Sequence, residues 1–216
     1  MIGPLRNLVF LALITSFLIA CKKKETVTFP VTVYLTGMEK TSDVRLFTNR
    51  MEIKDPTVIN HYIAGSQFFN LQTDSLNPSY HITFESEDTA VFFGTSYKFS
   101  VSKSSSLIVF YSKPTNVFID PSDRFSVLAD TLLKYKYKKI PVPHGTNLMT
   151  YVTKEVRVAH GDYLELDLSL ITFRIVSYGG YLSEMLENEL YEGAMSAYRP
   201  GDTVAVQSYS FHLRTK

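Results

Sequence analysis

The chain has 216 residues, with 22 Lys and Arg against 21 Asp and Glu; Phe and Tyr are abundant (15 and 14) and Trp is absent. Near-neutral charge leaves no electrostatic footprint for nucleic acid or for an anionic bilayer. An apolar share of 45% excludes wholesale disorder, and the length suits one domain with its own core.

The first element is the apolar run Leu8–Ala20, 13 residues long. As a helix it would reach about 20 Å at ~1.5 Å per residue, short of the ~30 Å hydrocarbon core of a bilayer. With Arg6 before it and a small residue at its end, it reads as a secretory signal peptide. The closing residues Leu18-Ile19-Ala20-Cys21 resemble the lipobox of bacterial lipoproteins. That resemblance implies that the Cys21 sulfur receives a diacylglycerol, that the chain is cut just before it, and that the new amino terminus is acylated. A plain cleaved signal and an uncleaved anchor are the alternatives. Two or three acyl chains hold firmly where one holds only marginally, so the lipid bilayer is the expected partner of Cys21. In lipoproteins of well-studied bacteria, Asp after the cysteine often marks retention at the inner membrane. Lys22 stands there, so the outer membrane is expected, facing either side.

The expected division is therefore 1–20 signal peptide, 21–26 lipidated cysteine and tether, and 27–216 a single β-rich domain. With Arg6 removed, 21 basic residues remain against 21 acidic ones. Cys21 is the only cysteine, so acylation leaves no thiol for a disulfide, a nucleophile or a metal site. Lys22–Thr26, fully extended, reach about 17 Å at ~3.3 Å per residue, which holds the domain close to its membrane.

Alternation with period two dominates the rest. "TVTFPVTVYL" puts Val27, Phe29, Val31, Val33 and Leu35 on one face, with Pro30 marking an edge or a bulge. Further strands are expected at Val44–Thr48, Tyr80–Phe84, Ala90–Phe93, Tyr97–Val101, Leu107–Tyr111, Leu132–Lys139 and Leu148–Val158. "YLELDLSL" sends Leu164, Leu166, Leu168 and Leu170 one way and Glu165, Asp167 and Ser169 the other; "TVAVQSYSFHL" closes the chain as a strand. Turns are expected at Lys103–Ser106, His160–Asp162 and Arg199–Asp202. Short, regularly spaced strands predict an all-β fold, a single antiparallel β-barrel or β-sandwich, with one or two short helices. The first helix is expected in "KDPTVINHYIAG", capped by Asp55 with Pro56 at its first position and Gly65 beyond its end. Val58, Ile59, Tyr62 and Ile63 would share its buried face. The second is expected in "LSEMLENELYEGAMSA", from Leu182, Met185, Leu186 and Leu190. The stretch "RLFTNRMEIKDPTVINHYI" is similar to a segment of uncharacterised Gram-negative envelope lipoproteins, a likeness of about twenty residues that carries no activity with it.

Motifs for chemistry are sparse. G-x-S-x-G and H-E-x-x-H are absent, and the five histidines fall in separate elements. Glu85, Glu87 and Asp88 cluster without a calcium-loop pattern and read as a solvated turn. Phe68-Phe69, Phe92-Phe93 and Tyr97 could line a cavity but read more simply as core. "LLKYKYKKIPVP" would set Lys134, Lys136 and Lys138 along one face of a strand. That row is a possible anion-binding stripe, although edge strands also carry lysines to block aggregation. No catalytic residue, cofactor or metal ligand is expected. The reading is a non-catalytic envelope module for an unknown envelope protein or small ligand. The alternatives are a structural or assembly accessory, or an enzyme with a site that no motif announces.

Overall fold

The structure is a computed structural model that describes residues 27–72, 76–118, 124–142 and 150–216. Cys21, the lipobox and the tether lie outside the described residues, in which no helix is long and apolar enough to cross a membrane.

Two long strands form the spine. β12 (Glu165–Ser177) and β14 (Thr203–Arg214) pair antiparallel from Glu165↔Arg214 to Val176↔Thr203. One half of this ladder belongs to a closed barrel of eight antiparallel strands, which decides between barrel and sandwich. From β12 the wall runs through β11 (Val156–Gly161), β7 (Leu107–Tyr111), β6 (Phe99–Ser104) and β5 (Thr89–Phe92). It continues through β4 (His81–Ser86) and β1 (Val31–Lys40) to β14. The other half continues as an open sheet, in which β13 (Gly180–Leu186) joins β12, β2 (Arg45–Thr48) joins β14, and β3 (Met51–Ile53) lies outermost. A separate small sheet holds β8 (Thr115–Phe118), β10 (Thr150–Thr153) and β9 (Ile140–Val142). The 13 residues of β12 span roughly 40 Å at ~3.3 Å each. The described chain enters at the barrel end of the spine, where Tyr34 pairs with Arg214. The β12–β13 hairpin marks the opposite end.

Alternation explains the core. Even residues of β12 and odd residues of β14 point into the barrel, where Leu166, Leu168, Phe211 and Leu213 meet Phe84, Phe92 and Phe110. The Phe92 ring lies 4.9 Å from Phe99 and 5.0 Å from Phe110, in tilted and edge-on contacts. Aromatic side chains thus fill the interior, Phe92 among them, while Phe93 and Tyr97 are exposed. In the open sheet the opposite face of the spine becomes core. Ile171, Phe173, Ile175, Val204 and Val206 are covered there by helix α2 (Arg124–Leu132) and the 3-10 turn Glu192–Ala197. The other face, with Leu46 and Ala205, is covered by helix α1 (Pro56–Ile63). The barrel interior meets this second core at fully buried Gln207, whose Oε1 accepts from Asn70 N (2.9 Å) and from the Tyr209 hydroxyl (2.5 Å).

α1 forms as expected: Asp55 Oδ1 accepts from Thr57 N at 2.8 Å and Pro56 opens the helix. Of its expected buried face, Val58 is instead 47% exposed. In the stretch of the second expected helix the first residues form strand β13, and only Glu192–Ala197 at its end is helical, as a 3-10 turn. Leu182, Leu186 and Leu190 all pack on the core beside Ile171 and Phe173, and a spacing of four suits one face of a strand as well as a helix. Tyr178 and Gly179, both at positive φ (45° and 82°), form the two-residue turn that folds β13 back onto β12, a geometry matched to strand twist. α2 was not anticipated, although Phe125, Leu128, Ala129 and Leu132 carry helical spacing. Because α2 runs to Leu132, the strand expected at Leu132–Lys139 is not formed; β9 begins at Ile140. Pro30 precedes β1, since it has no N–H to give a ladder, and the irregularity in β1 falls between Leu35 and Gly37. The expected strand Leu148–Val158 divides into β10 and β11.

Candidate functional site

The spine changes neighbours at its middle, and the outer wall is dented there. β11 pairs with β12 as far as Leu168, and β13 takes over at Ile171. On the other side β1 pairs with β14 up to Tyr209, and β2 takes over at Val206. The N–H groups of Thr41 and Ser42 both donate to the Ser208 carbonyl (3.0 and 3.3 Å) and close that gap. The result is a cleft of about 460 Å³ across both long strands. Its floor is Asp167, Ser169 and Ile171 of β12 with Ser208 and Ser210 of β14; one wall is Thr41, Ser42 and Arg45, the other His160 and the segment Asn188–Glu192.

The ladder fixes the floor. Asp167 is opposite His212, Ser169 opposite Ser210 and Ile171 opposite Ser208. His212 Nδ1 lies 2.6 Å from Asp167 Oδ1, and its Nε2 is 3.8 Å from Glu39. On the far wall His160 Nε2 is 2.5 Å from Glu189 Oε1, and Lys134 Nζ donates to Glu189 Oε2 at 2.6 Å. Burial opposes ionisation of Glu189, but its bonds to Lys134 and His160 outweigh this and hold its carboxyl below the ordinary carboxylate range. At one end Arg45 bridges the two walls, donating to Glu52 from Nε and to both oxygens of Glu192 from one terminal nitrogen, each at 2.9 Å. Asn188 is almost completely buried and staples the wall. Its amide donates to the carbonyls of Tyr135 (2.9 Å) and Val156 (3.2 Å), and its Oδ1 accepts from Tyr135 N (3.2 Å).

Each carboxylate of the cleft thus has a partner: Asp167 the His212 ring, Glu189 the Lys134 ammonium and the His160 ring, and Glu192 the Arg45 guanidinium that Glu52 shares. The hydroxyls of Ser169, Ser208 and Ser210, by contrast, make no hydrogen bond to another described residue. The second imidazole nitrogen of His212 has the Glu39 carboxylate as its ion-pair neighbour, beyond hydrogen-bond reach.

Of the lysines singled out by the sequence, Lys134 reaches the cleft rim through Glu189. Lys136 Nζ donates to the Thr131 carbonyl at 3.4 Å and lies 5.7 Å from the Tyr191 ring. Lys138 is exposed. All three alternate with half-buried Tyr135 and Tyr137, as the pattern suggested, but on a connecting segment rather than a strand. In the acidic turn, Glu85 pairs with Lys98 (2.5 Å) and Asp88 accepts from the Ser86 hydroxyl (2.6 Å). No group of three or more His, Cys, Asp or Glu able to hold a metal occurs among the described residues. The cleft residues were visible in the sequence as the polar faces of "YLELDLSL" and "QSYSFH"; what could not be seen was that these faces adjoin.

No family model matches this chain, nor does any curated protein or solved structure.

Proposed function

We propose that the protein is a lipid-anchored envelope lipoprotein of the outer membrane whose barrel is a non-catalytic binding module, taking its ligand in the cleft on the outer wall. The observation that carries this reading is the cleft itself. It is concave, spans the two longest strands, and combines hydroxyls that have no partner among the described residues with ion pairs between its own side chains. Its volume falls within the ~300–1,000 Å³ usual for small-molecule sites. The filled barrel interior leaves the exterior as the place of binding. The anchor rests on Leu18-Ile19-Ala20-Cys21 behind the apolar run.

The anchor is tested by expressing the full precursor in a Gram-negative host. Wild type is expected in the membrane fraction, with an intact mass that begins at Cys21 and includes acyl chains. Cys21→Ala is expected to leave that fraction and to lack the lipid mass. A Cys21→Ala protein that fractionates with membranes as wild type does would contradict the anchor.

A further inference from the structure

We infer that the ligand of the cleft is an uncharged, hydroxyl-rich molecule, a short neutral saccharide; this rests on the cleft being the binding site. An ionic ligand group entering the cleft would find Asp167 held by His212, Glu189 by Lys134 and His160, and Glu192 by Arg45. It would gain little by exchanging one partly exposed pair for another, whereas a hydroxyl can bond beside these groups and leave each with its partner.

The serine hydroxyls are the polar groups left over. Ser169 and Ser210 are direct cross-strand partners, with Cβ atoms about 5 Å apart. Ser208 lies two residues along β14, roughly 7 Å away. Each hydroxyl can both donate and accept. A floor of such groups is satisfied by ligand groups that also do both, which sugar hydroxyls do and carboxylates or ammonium groups do not. Asp167 and Glu189 add acceptors beside the serines. Leu190, half-buried at the side of the cleft, gives an apolar patch on which the C–H face of a sugar ring can rest.

The test uses the mature lipidated protein in a zwitterionic detergent, with calorimetric titration of maltotriose, cellotriose and the trimer of N-acetylglucosamine. Trigalacturonate and the deacetylated glucosamine trimer serve as charged probes. At least one neutral trimer is expected to bind, with affinity changing less than about twofold between roughly 0.05 and 0.5 M salt, since no ion pair is screened. Ser169→Val and Ser210→Val are each expected to weaken it at least about tenfold, the scale set by losing one or two hydrogen bonds. The thermal midpoint should be kept, because valine suits a strand; Ser169→Ala and Ser210→Ala serve if it is not. Binding of charged trimers alone, lost in the serine variants, overturns the neutral character of the ligand and leaves the cleft as the site. Binding of a neutral trimer that the serine variants do not disturb overturns the cleft itself. Failure of every probe to bind overturns the inference.

Discussion

Replacing Asp202 with alanine is expected to lower the unfolding free energy by about 3–5 kcal/mol, the usual cost of breaking a buried ion pair from one side. Asp202 is the most buried carboxylate in the described chain, with its side chain 1% exposed. One oxygen accepts from the Ser177 hydroxyl at 2.7 Å; the other accepts from Arg199 N at 2.7 Å and from the Arg124 guanidinium. The three donors come from the end of β12, the turn before β14 and the first residue of α2, so a single side chain fastens the helix to the far end of the spine. Burial opposes its ionisation, but the bonds from Arg199, Ser177 and Arg124 outweigh this and depress its carboxyl below the ordinary value. A depressed folded-state value means that the contribution is complete above the unfolded carboxylate pKa and is lost as pH falls through the folded one. Chemical denaturation across acid pH should therefore show wild type losing stability where Asp202→Asn changes little. A difference between the two that stayed constant with pH would refute this role.

Arg157 closes one end of the barrel interior, and Arg157→Met is expected to cost about 3–5 kcal/mol as well, although methionine nearly preserves volume. The side chain is 12% exposed, with its guanidinium 4.3 Å from the Phe92 ring centroid and 4.8 Å from that of Phe99. Its Nε donates to Glu155 at 2.6 Å and a terminal nitrogen to Glu187 at 3.3 Å. Burial raises the Glu187 carboxyl above its ordinary value, and the Arg157 charge works against that rise. A raised folded-state value contributes stability that is present below the unfolded pKa and lost as pH rises through the folded one. Arg157→Met removes the opposing charge, so the variant should lose more stability than wild type over that rise in pH. Adding Glu187→Leu should then recover most of the loss, because the stranded carboxylate is gone. If the double variant is no more stable than Arg157→Met alone, the pair is not what the barrel end depends on.

Much of this architecture was legible from alternation alone. Leu166, Leu168 and Leu170 face the barrel as their spacing demands, and Asp55 with Pro56 marks the start of α1. Sequence and structure part where one spacing serves two conformations. Leu182, Leu186 and Leu190 fit a helix until the Tyr178-Gly179 turn returns the chain along β12. "LLKYKYKK" alternates like a strand, yet its first residues end and follow a helix whose stripe begins upstream at Phe125. The site was less legible for a different reason. Ser169 and Ser210 are 41 positions apart, and only the β12–β14 register makes them neighbours. The wall that completes the cleft comes from segments whose pairing switches between strands, and no local pattern encodes such a switch.

Where a ligand sits relative to the barrel wall separates a module that binds on its outer face from one that binds within. Amide chemical-shift mapping of the mature protein, titrated with the neutral trimer that binds, locates it. The prediction is that shifts concentrate at Asp167–Ile171, Ser208–Ser210 and Asn188–Glu192, with Val33, Phe92 and Phe110 unmoved. Shifts centred on those three interior residues would place the ligand inside the barrel and contradict a module that binds on its outer face.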